Sequence, residues 1–197
     1  MENISYGKIV LIGAGHVGSA ILDSLLRMNL ADEIVVINRN EKKMHWESYW
    51  MPATPPPLHT VPTQTSGWVP TRTVKTAQIV INTAGPSIQP GNSRDRMVLL
   101  QTNVQVMKEI MTQITTYTRS AIIINVSNPM DILTYIAQKE FNYPRNLLIG
   151  TGTLLDTARF NKMLADLCGV DAKNVTGFRS GRTRRHKLYS MECRLIL

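Results

Sequence analysis

Short apolar runs alternate along the chain with segments whose apolar residues recur at helical spacing. The runs that predict strands are Lys8 to Ile12, Ile34 to Ile37, Ala77 to Ile81, Ala121 to Val126 and Asn146 to Ile149. The segments that predict helices are Val17 to Met28, Arg94 to Thr116, Asp131 to Glu140 with Asp131 as its cap, and Thr153 to Cys168. Buried strands that alternate with helices are typical of βαβ units, so the pattern predicts an α/β fold with a parallel sheet.

A glycine-rich turn joins the first predicted strand to the first predicted helix. It reads Gly-Ala-Gly-His-Val-Gly from position 13 to position 18. In such a turn Gly13 permits the tight bend, Gly15 lets the backbone approach a pyrophosphate, and Gly18 allows close packing of helix on strand. The helix N-terminus favours an anion. The whole turn, with His16 and Val17, is therefore predicted to bind a dinucleotide; a turn that only packs is the alternative.

The end of the second predicted strand bears on which dinucleotide binds. An acid is expected there, about 20 residues after the glycines, to hydrogen-bond the ribose hydroxyls. This chain has Asn38, followed by Arg39. Asn38 can bond a hydroxyl without carrying charge, whereas Arg39 is suited to pair with a 2′-phosphate. We predict NAD as the cofactor and keep NADP as the alternative.

Two stretches differ from the rest of the chain in composition. Residues 44–76 hold all three tryptophans and six of the ten prolines, with no clear period of 2 or 3.6. Residues 179–197 carry six basic side chains against one acid, a net charge of +5 out of the formal +8 of the whole chain. A long insert without periodicity is unusual inside a compact domain. The composition marks both stretches as foreign to an otherwise ordinary α/β sequence.

Charge, hydropathy and cysteine content exclude several classes of partner. The basic tail holds one aromatic residue, Tyr189, and no recognisable nucleic-acid motif. Every apolar run is far shorter than the roughly 18 residues of a membrane span, and the first residues lack a secretory pattern. Two cysteines, Cys168 and Cys193, make neither a disulfide framework nor a metal site. We therefore expect a reduced, cytoplasmic protein without nucleic-acid, membrane or metal partners.

Three later motifs are Thr83-Ala84-Gly85, Ser127-Asn128-Pro129 with Asp131, and the string Gly-Thr-Gly-Thr-Leu-Leu-Asp-Thr-Ala-Arg from 150 to 159. Together they resemble the L-lactate/malate dehydrogenase family. The string is most similar to the L-2-hydroxyisocaproate dehydrogenase branch, and the resemblance covers 7–43 and 77–178. It implies a Rossmann-type doubly wound parallel sheet. Residues 1–150 would form the dinucleotide-binding domain and residues 151–178 the first helix of a substrate domain.

The resemblance also implies roles for individual residues in hydride transfer between a nicotinamide and a small 2-hydroxy or 2-oxo acid. Thr83, Ala84, Gly85 and Asn128 would line the cofactor, and Asn128 would also help to hold the substrate. Arg159 would pair with the substrate carboxylate in a bidentate geometry that lysine cannot match.

Two more roles concern the acid–base histidine and the substrate carbonyl. Asp156 would orient the histidine from the helix face that carries Arg159, although a surface ion pair is a common alternative for that spacing. Arg96, with Arg94 as the alternative, would come from the family's mobile loop and polarise the carbonyl. Gln89 stands where malate enzymes carry an arginine, which favours a monocarboxylate such as lactate or a branched analogue.

The resemblance ends after position 178, where the family carries Gly-Glu-His-Gly with its acid–base histidine. This chain has Arg-Ser-Gly-Arg-Thr-Arg from 179 to 184, and its nearby His186 matches no family motif. One allowed coding, CGT TCT GGG AGA ACA CGG, read one nucleotide later gives Val-Leu-Gly-Glu-His-Gly. A coding of residues 44–53 likewise yields Ala-Leu-Gly-Glu-Leu-Leu-Asp-Ala, close to the family's second-helix pattern. We therefore interpret 44–76 and the aberrant basic tail 179–197 as out-of-frame translation.

This interpretation sets the expected function and completeness of the chain. The third strand of the sheet and most of the substrate domain would be missing. The chain would descend from an NAD-dependent L-2-hydroxy-acid dehydrogenase of the L-lactate or L-2-hydroxyisocaproate type and be inactive itself. A non-catalytic dinucleotide-binding fragment is the alternative, and a basic binding protein is a third hypothesis. The family oligomerises through surfaces that would be partly absent, so an oligomer of this chain is not predicted.

Overall fold

The computed structural model describes residues 7–38, 60–64, 72–86, 96–180 and 188–191; for 60–64, 72–73, 96–98, 179–180 and 188–191 it describes only the backbone. The chain divides into two compact units, Met1–Gly150 and Thr151–Leu197. Strands of the first unit are β1 (Lys8–Ile12), β2 (Glu33–Asn38), β3 (Thr60–Gln64), β4 (Ile79–Asn82), β5 (Ile122–Asn125) and β6 (Leu148–Gly150). Its helices are α1 (His16–Met28), α2 (Arg96–Tyr117) and α3 (Met130–Phe141).

The strands of the first unit form one parallel sheet in the order β3-β2-β1-β4-β5-β6. The chain winds outward from β1 in one direction to β3, and from β4 in the other direction to β6. The order therefore reverses between β1 and β4. This arrangement confirms the predicted doubly wound parallel sheet, and the switch between β1 and β4 is where such sheets open a crevice at their carboxyl edge.

Alternate residues of the central strands enter two separate hydrophobic layers. Val10 and Ile12 of β1 pack in a cluster with the buried stripe of α2, whereas Ile9 and Leu11 pack in the cluster that contains Leu25 of α1. Strand side chains alternate between faces, so continuous apolar runs are needed when helices cover both faces. The α2 stripe comprises Val106, Met107, Ile110, Met111 and Ile114, all buried.

The expectation that the sheet lacks its third strand is wrong. Thr60–Gln64, inside the compositionally aberrant stretch, forms β3 and pairs in parallel with β2 from Ile34↔Thr60 to Asn38↔Gln64. The segment reads Thr-Val-Pro-Thr-Gln and has no apolar run, so periodicity did not predict it. Proline is tolerated because β3 lies at the edge of the sheet, where one row of backbone groups needs no strand partner.

The predicted element ends differ from the observed ones by a few residues, and one predicted cap is wrong. Helix α3 begins at Met130 with Pro129 at the N-cap and no side-chain cap hydrogen bond, so Asp131 lies in the first turn instead of capping it. An acid in the first turn still interacts favourably with the helix dipole. Short 3-10 helices occupy Arg72–Thr76 and Arg145–Leu147.

The second unit contains helix α4 (Leu154–Cys168), a 3-10 turn at Ala172–Asn174 and an antiparallel pair, β7 (Gly177–Ser180) and β8 (Leu188–Met191). The Gly177 amide donates to Asn161 Oδ1 at 2.9 Å, which ties β7 to α4. Strand β8 was not predicted, since residues 179–197 were expected to be an aberrant tail. In the described part of the chain, no helix is both long and apolar enough to cross a membrane.

Candidate functional site

The glycine turn between β1 and α1 is held by contacts that leave no room for side chains at two positions. The Gly13 amide donates to the Ile37 carbonyl at 2.8 Å, and Gly13 has a φ of +96°. A Cβ on Gly13 would lie 2.8 Å from Thr83 Oγ1, and one on Gly18 would overlap the Gly13 carbonyl oxygen. Helix α1 can therefore start directly over the end of β1, as the turn chemistry predicts.

The start of α1 is open toward solvent and is suited to an anion. Gly15 is the N-cap, no described side chain caps it, and the first turn carries no acid. A Cβ on Gly15 would meet nothing within 4 Å among the described residues. The first amides of a helix have no intrahelical acceptor and carry the positive end of its dipole. A pyrophosphate fits this backbone, and His16 and Val17 follow in the first turn, where Val17 is exposed.

The loop after β4 is bound to the same turn. The Thr83 hydroxyl donates to the Gly13 carbonyl at 2.8 Å, and the Thr83 amide donates to the Ile12 carbonyl at 2.8 Å. Ala84 is buried and Gly85 has a φ of +134°. The three predicted residues 83–85 therefore line the switch between β1 and β4, next to the glycine turn.

The loop after β5 closes the other side of the crevice. The Ser127 hydroxyl donates to the Ala84 carbonyl at 2.6 Å, so this loop is joined to the one after β4. Asn128 is exposed, and its peptide bond to Pro129 is cis. A cleft of about 440 Å³ lies between the loops; its walls are Val17, Thr83, Gly85, Pro86, Leu99, Leu100, Asn103, Val126, Ser127, Asn128 and Pro129.

A buried amide pair underlies the two loops and was not predicted as part of the site. Asn82 and Asn125 occupy paired positions at the carboxyl ends of β4 and β5, and each is almost fully buried. Asn82 Nδ2 donates to Asn125 Oδ1 at 3.1 Å, and Asn82 Oδ1 accepts the Ala84 amide at 3.1 Å. Buried polar groups that satisfy one another hold their neighbours in one arrangement. The sequence signal that could have identified this pair is an asparagine at the end of each of two apolar runs, Ile79–Asn82 and Ile122–Asn125.

Asn103 on α2 was also missed as a site residue. It lies in the cleft wall. Its neighbours at helical spacing, Leu99, Val106 and Met107, are all apolar. A single polar residue within an apolar helical stripe was the signal that could have identified it.

Asn38 lies at the carboxyl end of β2, the position at which the ribose-binding residue was predicted. Its partner in the neighbouring strand is Gln64 of β3. Arg39, Gln89, Arg94 and His186 lie outside the described residues. Arg96 begins α2, and its side chain is likewise outside the described part of the chain.

The second unit carries the other two predicted catalytic residues. Asp156 and Arg159 lie on the first turns of α4, with Arg159 Nη1 3.7 Å from Asp156 Oδ1. The Arg159 side chain is 68% exposed and that of Asp156 is 24% exposed. An exposed pair at this distance contributes little to stability, so the contact does not occupy the guanidinium strongly. Asp156 also takes part in a further interaction within the chain.

Comparison with known proteins identifies the family. The lactate/malate dehydrogenase NAD binding domain family matches residues 7–150, which include the cleft and every strand of the parallel sheet. L-lactate dehydrogenase 2 of Clostridium acetobutylicum is 44% identical over 184 residues, which cover 89% of this chain and 55% of that protein. The L-lactate dehydrogenase of Selenomonas ruminantium is 40% identical over 173 residues, 87% of this chain and 54% of that protein.

Two solved structures of lactate dehydrogenases have a fold similar to that of this chain. The minor L-lactate dehydrogenase from Enterococcus mundtii, in its ligands-bound form, has a TM-score of 0.74 and 28% identity and is covered over 61% of its length. A lactate dehydrogenase from a deep-sea metagenome library has a TM-score of 0.75. The chain spans about half the length of the curated relatives that it matches. The family match, the relatives and the shared fold together show that this chain belongs to the lactate/malate dehydrogenase family.

Proposed function

We propose that this chain is the dinucleotide-binding part of an NAD-dependent L-2-hydroxy-acid dehydrogenase and that it binds cofactor without turnover. The observation that carries the proposal is the crevice at the switch between β1 and β4. There an uncapped helix start, an open Gly15 and the loops 83–86 and 127–129 surround one cleft. Such a crevice at the carboxyl edge of a doubly wound sheet is where these folds bind dinucleotides.

The proposed cofactor is NAD, with NADP as the alternative. The cofactor would supply the hydride; the chain's own residues bind and orient it. Gly13, Gly15, His16, Val17 and Gly18 would hold the pyrophosphate through backbone amides. Asn38 would hydrogen-bond the adenosine ribose without carrying a charge. A neutral amide rejects the 2′-phosphate of NADP less strongly than a carboxylate does.

The proposed substrate is a small 2-oxo or 2-hydroxy monocarboxylate, as in the L-lactate or L-2-hydroxyisocaproate type. Asn128 would hold substrate and nicotinamide at the cleft, and Arg96 would polarise the carbonyl. Arg159 would clamp the carboxylate with its planar fork, and Asp156 would orient a histidine. Gln89, neutral where malate enzymes carry arginine, favours a single carboxylate. The relatives named above as L-lactate dehydrogenases support the same substrate class.

Lack of turnover follows from the residues after position 178. Reduction of a 2-oxo acid needs a proton delivered to the carbonyl oxygen, a task for which histidine is suited because its ordinary pKa lies near neutrality. The family motif with that histidine is replaced by Arg-Ser-Gly-Arg-Thr-Arg from 179 to 184. We propose that 179–197 and 44–76 are translated out of frame. A chain that never catalysed and serves only to bind cofactor is the second candidate.

The test is to titrate the purified chain with NADH and NADPH, following nucleotide fluorescence, and to assay turnover with pyruvate in the same preparation. The proposal expects saturable NADH binding and no NADH oxidation. Gly15→Ala is the control for binding at the glycine turn, because its Cβ would meet no described atom within 4 Å and would lie where the pyrophosphate is proposed to bind. Absence of any nucleotide binding by the folded chain would contradict the proposal. Sequencing the gene decides between the frame hypothesis and the second candidate.

A further inference from the structure

Asn103 is a buried polar residue in the wall of the cleft whose contacts join two loops. It lies on α2 and is only 5% exposed. Its Nδ2 donates to the Asn128 carbonyl at 2.6 Å and to the Pro86 carbonyl at 3.2 Å. Pro86 belongs to the loop after β4, and Asn128 belongs to the loop after β5. One carboxamide therefore links the helix to both walls of the cleft.

The orientation of this carboxamide is set by the two carbonyl groups. Reversing it would place Oδ1 against the Asn128 carbonyl oxygen, so that two acceptors faced each other. In the observed orientation Oδ1 lies over Gly85, whose missing side chain provides the space, since a Cβ there would overlap this oxygen. Oδ1 is buried and has no hydrogen-bond partner among the described residues.

A buried acceptor without a partner is unfavourable and calls for an explanation. Here the same group makes two donor contacts that only an amide of this size and position could make from α2. An apolar side chain of this size would remove the unpaired acceptor but would leave the Asn128 and Pro86 carbonyl groups without their donor. The cost of the unpaired acceptor is therefore offset by the two carbonyl groups that the same amide holds in place.

We propose that Asn103 is a positioning residue for the nicotinamide half of the cofactor. In a doubly wound sheet, β1 to β3 form the mononucleotide-binding half for the adenosine and β4 to β6 the half for the second nucleotide. Both carbonyl groups that Asn103 holds follow strands of the second half. The inference rests on the proposed dinucleotide binding and assigns this residue the task of fixing the loop that presents Asn128.

The experiment compares NADH with ADP-ribose, which carries the adenosine and pyrophosphate but no nicotinamide. The variants are Asn103→Leu, which removes both donors at similar volume, and Asn103→Asp, which replaces the donors with oxygen at the same size. The matched control is Gln105→Leu, the same change of an amide to leucine on the exposed side of α2, where Gln105 Nε2 donates to Glu109 Oε1 at 3.3 Å. Ellipticity confirms that each variant is folded.

Both Asn103 variants should bind NADH about fivefold or more weakly, as expected for the loss of two hydrogen bonds. Their affinity for ADP-ribose and all affinities of Gln105→Leu should stay within about twofold of the wild type. If one of the two Asn103 variants fails to fold, the binding data of the other variant test the inference.

Equal weakening of both ligands would overturn the inference, because it would show a general structural role. Unchanged NADH binding in either folded variant would overturn it as well. If the wild type bound NADH and ADP-ribose equally, no nicotinamide contact would exist for Asn103 to position, and the inference would also fail. Failure of the wild-type chain to bind either ligand would instead overturn the proposed function, and this inference with it.

Discussion

At the scale of single residues, Gly15 and Gly18 lie three positions apart in one turn but are glycine for different reasons. Gly18 is buried under the turn, where a methyl group would overlap a backbone oxygen that cannot move aside. Gly15 is exposed and faces open space among the described residues. The fold accounts for glycine at 18, whereas the described contacts give no steric reason for glycine at 15 and the proposed pyrophosphate would supply one.

Alanine at these two positions should therefore separate stability from binding. Gly15→Ala should keep the unfolding free energy within about 0.5 kcal/mol of the wild type and weaken NADH binding about tenfold or more, because the methyl group would stand between the helix start and the pyrophosphate. Gly18→Ala should lower the unfolding free energy by about 2 kcal/mol. Urea unfolding and NADH titration measure the two effects. NADH binding by Gly15→Ala at wild-type strength would exclude the assigned role.

Tyr143 provides a residue-scale prediction about pH. It is 2% exposed, and its hydroxyl donates to the Ala121 carbonyl at 2.7 Å. Burial raises the pKa of Tyr143 above its ordinary value of 10.0, an effect that the nearby positive charge of Arg119 partly offsets. Because the folded-state pKa is the higher one, the stabilisation is fully present below about pH 10 and is lost as pH rises through the folded-state pKa.

Tyr143→Phe should therefore cost about 1 kcal/mol at pH 8, through the lost hydrogen bond, and should make the decline in stability above pH 10 shallower. Urea unfolding between pH 8 and pH 11 measures both effects. Tyr135→Phe, at an exposed tyrosine of α3, is the control and should change the unfolding free energy by less than about 0.5 kcal/mol. Parallel pH profiles for wild type and Tyr143→Phe would contradict the assignment.

At the scale of elements, α2 and α4 differ in how much of their apolar surface is covered. The stripe of α2 is buried in one core cluster that also contains residues of the sheet and of α3. On α4, Ala165 is the buried residue, whereas Leu154, Leu155, Met163 and Leu167 are exposed by 63% to 82%. Amphipathic helices gain most of their stability from packing an apolar face. Among the described residues of its own unit, α4 packs on β7 and on the 3-10 turn at Ala172–Asn174.

A charge placed on the exposed side of α4 should be tolerated, and the same charge on its buried side should not. Leu167→Lys, at a position that is 82% exposed, should leave the helix content unchanged and shift the unfolding free energy by less than about 0.5 kcal/mol. Ala165→Lys should reduce helix content, because a charge would be buried without a partner. Far-ultraviolet ellipticity during urea unfolding measures both. A comparable loss of helix content in the two variants would mean that the side of α4 that carries Leu167 is covered in solution.

At the scale of the whole molecule, the described cleft lies in the first unit and the Asp156–Arg159 pair lies in the second. The family match covers the first unit, and the chain spans about half the length of its relatives. At the position where the family resemblance implies the acid–base histidine, the chain reads Arg-Ser-Gly-Arg-Thr-Arg from 179 to 184. The proposal therefore assigns this chain cofactor binding and not catalysis.

The corresponding prediction compares the 197-residue chain with a version translated from a gene with both frames restored. The chain should give no measurable NADH oxidation with pyruvate, 2-oxoisocaproate or oxaloacetate. The restored protein should turn over the monocarboxylates in preference to oxaloacetate, since Gln89 offers no positive charge to a second carboxylate. Absorbance of NADH follows the reaction. Turnover by the 197-residue chain within about tenfold of the restored protein would contradict the out-of-frame interpretation of 179–197. A preference of the restored protein for oxaloacetate would contradict the monocarboxylate assignment.

Local physics explains why much of this molecule was predictable from its sequence. Strands β1, β2 and β4 are apolar runs because parallel strands covered on both faces need apolar residues on both faces. Strands β5 and β6 are also apolar, although Ile122 and Ile149 are exposed. The four helices follow from their 3.6-residue period. The glycine turn and the 83–85 and 127–129 loops were placed at strand ends because their residue types serve backbone geometry over a few positions. Family resemblance added the roles that no spacing alone could supply.

Tertiary structure alone decided the features that depend on distant partners. Strand β3 has no apolar run, and its extended state comes from backbone pairing with β2. The amide pair Asn82–Asn125 joins residues 43 positions apart, and Asn103 reaches carbonyl groups 17 and 25 positions away. Hydrogen bonds of this kind form only after the sheet has brought the loops together, so no local pattern encodes them. They join the loops on the two sides of the cleft, whereas the motifs at the strand ends already indicated where the cleft would lie.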